Sequence, residues 1–386
     1  MSLLETTISE LSRLVGFPTV SKDTNLDLIH YVQESLDKLG ITSTLIHNEE
    51  NTKANLIATI GPNKAGGIVL SGHTDVVPVD GQNWHSNPFK MIEKNGKLFG
   101  RGTCDMKGFL AIALAATPII IKESLHTPIH LAFSYDEEVG CLGARSLIKT
   151  LKKTIPLPHA VIVGEPTGMK VISAHKGITA IRTTIEAKEA HSSQTQLGVS
   201  AVMIASRLIA FIESMNEENA ATNTNDQFEP NHTTMTVNII DGGTAVNILA
   251  KKCSFIWDIR HLPNEDPRSY INRFENFCHH TVLPSIKNLA PNGKINIEVL
   301  AGTPALKPIA NSPAETLCRQ LTGDNIQRSV SFATEAGQFQ EAKMSTAICG
   351  PGSIDQAHQP NEYLSLDQLK LGTVFIQNLI KKMSQP

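Results

Sequence analysis

The sequence predicts an α/β protein with a mostly parallel sheet, interrupted by an inserted α+β unit. Three observations predict it. Short apolar runs at 68–71, 128–135 and 160–164 alternate with segments of helical period, the pattern of strands covered on both faces. After Gly177 the order changes to strand, helix, two strands, helix and strand, the βαββαβ arrangement of ferredoxin-like units. Helix and strand segments of the first kind then resume at 313–322, 345–349 and 366–382.

Taken in order, Leu3, Leu4, Ile8, Leu11 and Leu14 make an amphipathic first helix. A second helix at 26–40 stops at a glycine, and strands follow at 42–46 and 54–60. A helix at 107–117 ends ahead of Pro118, and another covers 145–152. Within the insertion the expected elements are a strand at 178–187, a helix at 198–213 and a polar loop at 216–231. Strands at 233–240 and 251–260, a helix at 267–283 and a strand at 295–300 complete it. The expected domains are therefore 1–177 and 302–386, which form one unit, and the insertion 178–301.

Composition narrows the function. With 386 residues, 41% of them hydrophobic, the chain can bury a large core. A net charge of −3 without basic runs argues against nucleic acid as a partner. The six cysteines are scattered, with no CxxC, as expected of reduced thiols in a cytoplasmic protein. The first 17 residues carry acids and no long apolar run, so no signal peptide is expected. The apolar stretch 110–121 is too short to span a bilayer, so no membrane partner is expected either.

Five segments place ligand-type residues at predicted strand ends: His73 and Asp75, Asp105, Glu137 and Glu138, Glu165, and His358. In an open α/β sheet the crevice at the carboxyl ends of the strands is where sites are built. His73 and Asp75 are two apart, so on a strand they face the same way, as suits an imidazole held by a carboxylate on its other nitrogen. Asp105 lies among Gly100, Gly102 and Gly108, a backbone that turns tightly to present one acid. Two histidines with several carboxylates and no cysteine suit a borderline-hard divalent ion, zinc before others, and one Asp can bridge two ions. Glu137 and Glu138, being adjacent, face apart, so one can ligate while the other serves as a general base. Singly, each of these residues has a plainer explanation as a solvated strand end; their coincidence is what points to a metal. The residues alone do not assign individual ligands to individual ions.

The stretches Ser71–Asp75, Asn87-Pro88-Phe89, Gly100–Gly108, Asp136–Glu138, Gly164–Thr167, Ala190–Ser193 and the His358 loop resemble the dizinc amidohydrolase and exopeptidase family. They run through nearly the whole chain, and GHTDVVPVDGQNW, GRGTCDMKGF, GEPT, AHKG and GPGSIDQAHQPNEYL look most like its acetylornithine-deacetylating branch. The resemblance implies a zinc-hydrolase catalytic domain carrying two Zn2+, for which Co2+ substitutes. His73, Asp105 and Glu165 would hold one ion and Asp105, Glu138 and His358 the other. Asp75 would orient His73, and Glu137 would be the general base. The insertion would be a lid and the interface of a homodimer, with His191 stabilising the oxyanion. Asn247, Arg260 and a backbone cradle at Gly350 and Gly352 would grip the carboxylate of an N-acyl amino acid. Glu335 is the candidate partner for a cationic substrate side chain.

The implied reaction is hydrolysis of an N-acetylated amino acid, N2-acetyl-L-ornithine first, as in arginine biosynthesis. The alternatives are an aminoacylase, a succinyl-diaminopimelate desuccinylase, or a dizinc dipeptidase or carboxypeptidase. Gly337-Gln338 and Leu249-Ala250 depart from the deacetylase pattern, and both departures bear on substrate fit.

Overall fold

The computed structural model describes residues 1–385 and divides them into two compact units. The first comprises Met1–Ala174, Leu306–Ser329 and the segment from Thr334 onward; the second comprises His175–Ala305 and Val330–Ala333.

The first unit is built on a six-stranded sheet, in the order Ser43–His47, Ala54–Ile60, Ile129–Ser134, Ile68–His73, Ala160–Pro166 and Thr346–Gly350. The last four strands run parallel to one another, whereas Ala54–Ile60 pairs antiparallel on both sides. Every residue of Ile68–His73, Ile129–Ser134 and Ala160–Pro166 is buried. That is why these strands read as continuous apolar runs rather than as alternating ones. Four parallel strands end together at one edge, and they lead to His73 and Asp75, to Asp136–Glu138, to Glu165 and to the His358 loop.

Two helices exceed their expected limits. Lys107–Lys122 continues through Pro118, because burial of Ile120 and of nearly every residue from Lys107 to Thr117 outweighs one missing amide. Ala201–Thr222 runs on into the segment expected to be a polar loop. The polar residues there serve the neighbouring strand: Asn216 accepts from the Met235 amide (3.0 Å), and Asn219 donates to the Thr233 carbonyl (3.3 Å). A ribbon of Ile92–Lys94, Lys97–Phe99 and Tyr363–Ser365 was not expected. It pairs Tyr363 with Phe99 and so sets Glu362 beside the Gly100 turn.

The second unit has the order βαββαβ on one antiparallel sheet, arranged Thr234–Gly242, Lys252–His261, Gly177–Glu186, Lys294–Thr303. Gly177–Glu186 alternates buried with half-buried residues, as befits a sheet with one covered face. Its core centres on Trp257, whose ring lies 4.9 Å from that of Phe274 and whose Nε1 donates to the Thr183 hydroxyl (3.1 Å). Among the described residues no helix is long and apolar enough to cross a membrane.

Close packing sets the site edge. A Cβ on Gly164 would fall 2.0 Å from the Phe109 ring, and one on Gly350 would fall 2.0 Å from the Gly164 carbonyl oxygen. Gly164→Ala is therefore expected to lose about 1–3 kcal/mol of stability, read as a lower thermal midpoint; an unchanged midpoint would show that Phe109 yields freely.

Candidate metal centre and active site

His73 ends the central strand with its imidazole 1% exposed. Its Nδ1 lies 2.9 Å from the main-chain carbonyl of Asp75, an acceptor that favours a proton on that nitrogen and leaves Nε2 to face the acids. Nε2 is 3.1 Å from Asp105 Oδ1 and 3.8 Å from Glu165 Oε1. The other oxygen of Asp105 is 3.2 Å from His358 Nε2, which is in turn 3.0 Å from Glu138 Oε2. One carboxylate thus stands between two imidazoles, each with a further glutamate beside it.

The acids at the end of Ile129–Ser134 are held from behind. Asp136 is in the left-handed region (φ 53°) and pairs with Lys53, which also donates to the Ser21 carbonyl. The Asp75 carboxylate accepts from Ser21 Oγ (2.7 Å) and from the amides of Glu137 (3.1 Å) and Glu138 (3.3 Å). The Glu137 carboxylate comes within 4.8 Å of donor atoms of His73 and Glu165 and accepts from the Cys141 thiol at 3.2 Å.

Electrostatics follow from crowding. Burial, then the neighbouring Glu138, Asp105 and Asp75 charges, push Glu137 up to about 8 against the pull of His73. Burial and Asp105 push Glu138 up to about 7, and burial and the same acids raise Glu165 well above the usual range. Burial works against a charged His73, but Asp105, Glu165 and Asp75 outweigh it and raise the imidazole. Hydrogen bonds to Asp105 and Glu138 push His358 up to about 10. Asp105 is lowered: the two histidines overcome its burial.

A divalent cation fits this donor set. Glu138 Oε1 and Glu165 Oε1 are buried and find no hydrogen-bond partner among the described residues. Such oxygens are costly to leave unpaired, and they lie next to imidazole nitrogens and further carboxylates in clusters able to hold an ion.

The structure also revises several expectations. The Asp75 carboxylate is 3.6 Å from His73 Nδ1 and spends its hydrogen bonds on the Glu137–Glu138 turn; it is the Asp75 carbonyl that engages the imidazole. Asp105 sits in a turn before the helix Lys107–Lys122, not at a strand end. Glu335 is fully buried, and its two oxygens accept from Ser71 (2.6 Å) and Ser134 (2.7 Å), so it offers nothing to a substrate cation. The Gly350 amide donates to Thr167 Oγ1 and the Gly352 amide to Gln368 Oε1, so neither is free to cradle a carboxylate; both glycines serve close packing. In the second unit, His191 and Asn247 lie on adjoining segments, with the Ser192 amide bonded to the Asn247 carbonyl (2.9 Å). Arg260 Nε lies 3.7 Å from Asp258 Oδ2. Arg101, Gln82 and Glu362, described below, had no sequence signal as site residues, because their partners are distant in the chain.

The profile of Peptidase family M20/M25/M40 matches residues 69–382, and the chain belongs to that family. It is thus a metal-dependent hydrolase of the amidohydrolase and peptidase class. Among its relatives, an acetylornithine deacetylase of Pasteurella multocida is 33% identical over 92% of each chain. An acetylornithine deacetylase of Proteus mirabilis is 33% identical over 94% of this chain and 93% of that one. The fold matches an M20 metallo-carboxypeptidase from Sulfolobus solfataricus with a TM-score of 0.79 at 18% identity, covering 98% of this chain and 99% of that one. A dinuclear metal-binding M20 peptidase of Bacillus subtilis matches at 0.67 and 12% identity, over 98% and 97%.

The acids Glu137 and Glu138 and the base His358 all bind protons more tightly folded than unfolded, so their contribution to stability is present at low pH; that of the two acids is lost as pH rises from about 4.5 to 8, and that of His358 declines from about 6.5 and is gone only above about 10. The metal-stripped chain is expected to melt at progressively lower temperature between pH 5 and pH 8. Added divalent cation should raise the midpoint more at pH 8 than at pH 5, because it competes with protons. Differential scanning fluorimetry across that range checks both; a midpoint that rises with pH would contradict the burial of these acids.

Proposed function

We propose that the chain hydrolyses the amide bond of an N-acylated amino acid, with N2-acetyl-L-ornithine as the substrate and acetate and ornithine as products. The observation that carries it is the Asp105 carboxylate between His73 and His358, with Glu137 alongside (3.1 and 3.2 Å). The deacetylase relatives at 33% identity support the substrate.

In this reading His73, Asp105 and Glu165 hold one zinc ion and Asp105, Glu138 and His358 a second. Bound there, zinc supplies Lewis acidity toward the acyl carbonyl and makes water a nucleophile near neutral pH. Glu137 takes the proton of the attacking water and returns it to the departing amine. One carboxylate can do both, because the proton it takes from the water is the one it later gives to the amine. His191 of one copy would reach the active site of its partner in the homodimer and donate to the oxyanion there, and Asn247 and Arg260 would receive the substrate carboxylate. We assign the insertion 178–301 the role of a lid and of the contact between two copies in a cytoplasmic homodimer.

The test is release of free amine from N2-acetylornithine by the zinc-loaded protein, beside N-acetylmethionine, N-succinyl-diaminopimelate and a dipeptide. Acetylornithine should be cleaved best, and Glu137→Ala should lower kcat by about 10²–10⁴-fold while still binding metal. Preference for a dipeptide would replace the substrate assignment with a peptidase; full activity in Glu137→Ala would remove Glu137 as the base.

A further inference from the structure

Outside the ligand set lies a second buried cluster, Arg101 with Glu362. Both side chains are all but inaccessible, at 1% and 0% exposure, and their charges meet at 2.7 Å. Glu362 is saturated: Oε1 accepts from the amides of Cys104 (2.8 Å) and Asp105 (3.0 Å), and Oε2 from Arg101 and the Gly102 amide (3.0 Å). Three amides of the short backbone segment that presents Asp105 are thereby tied to one carboxylate. A carboxylate has about four acceptor positions, and all are used here.

Arg101 extends the tie in the other direction. Its NH2 group donates to Gln82 Oε1 (2.6 Å), and Gln82 Nε2 donates to the main-chain carbonyl of His358 (2.9 Å). Arg101 NH1 also reaches the carbonyl of Gln359 (3.4 Å). His358 itself has φ 62°, a conformation a non-glycine residue holds only when its surroundings fix it. A continuous path of hydrogen bonds therefore runs from the Asp105 amide through Glu362, Arg101 and Gln82 to the His358 carbonyl.

We infer that Glu362, Arg101 and Gln82 are positioning residues that set the separation of Asp105 and His358, and thus the affinity for the second ion. The inference rests on the ion assignment proposed above. The fork of the guanidinium is what allows one side chain to hold both ends, since its two terminal nitrogens point to different partners in a fixed plane. The path acts unequally on the two ions. Of the two ligands at the ends of the path, Gln82 bonds directly only to His358, through its main-chain carbonyl, so its loss affects chiefly the ion held by His358. Glu362 holds Asp105, which serves both.

Titration of Co2+ into the metal-stripped chain, followed by calorimetry and by the visible absorption of each bound ion, separates these effects. The wild-type chain should take up two ions. Gln82→Ala should weaken the second by about 10–100-fold and leave the first within about threefold. Glu362→Gln, which puts an amide donor against donors, should weaken both. Circular dichroism of the metal-stripped variants checks that each is folded, and Gln82→Ala, at a half-buried position, decides the matter if Glu362→Gln does not fold. Unchanged second-ion affinity in Gln82→Ala, or an equal loss at both ions there, would overturn the inference. A wild-type chain that binds no ion would overturn the ion assignment, and the positioning role with it.

Discussion

The structure depends on how it manages carboxylates gathered in one dry place. Asp75, Asp105, Glu165, Glu335 and Glu362 are each no more than 5% exposed, and Glu137 and Glu138 are half-buried beside them. Two like charges 4 Å apart repel by about 4 kcal/mol even at an effective dielectric of 20. The fold divides the group in two. Asp75, Glu335 and Glu362 are supplied with hydroxyls, amides or a guanidinium so that each of their oxygens has a donor. Glu138 and Glu165 each keep a buried oxygen without a donor. Satisfied acids are scaffold; unsatisfied ones are where a cation belongs. Of the two kinds, it is the scaffold acids that fix the geometry: Asp75 and Glu362 bind backbone amides, and Glu335 ties the ends of two strands through Ser71 and Ser134.

That division explains what could be read from the sequence. Strands buried on both faces announce themselves as apolar runs, so the parallel sheet and the strand-end acids are legible, as is the βαββαβ order of the second unit. His73, Asp105, Glu137, Glu138, Glu165 and His358 stand out because glycines and strand ends surround them. The donors that fill Glu362 are 257–261 residues away in sequence, and no local pattern reports such a pairing. The residue type of Glu335 suits a substrate cation; only the fold shows that the Ser71 and Ser134 hydroxyls engage both of its oxygens. Helix ends were misjudged where a buried face or a side-chain amide overrode local propensity, at Pro118 and at Asn216–Asn219.

The two units illustrate different ways of holding shape. The first buries polar groups in matched sets around its sheet edge, and each set loses much if one member is removed; breaking a buried ion pair such as Arg101–Glu362 costs about 3–5 kcal/mol in general. The second relies on an apolar layer under an antiparallel sheet, with Trp257 and Phe274 at its centre and Thr183 satisfying the indole. A layer of that kind tolerates change more gradually than a saturated polar cluster.

The Tyr363–Ser365 strand, which brings Glu362 to the Gly100 turn, has a consequence for how the chain comes into being. Synthesis proceeds from the N-terminus and domains fold as they emerge. His73, Asp105 and Glu165 are available early, yet the acceptor that locks the Asp105 turn, and His358 itself, leave the ribosome only after the whole of the second unit. The nascent chain therefore carries a cluster of acids with neither its clamp nor its last imidazole. Completion of the acid cluster becomes a late event, waiting on the loop that brings His358 and the strand that brings Glu362.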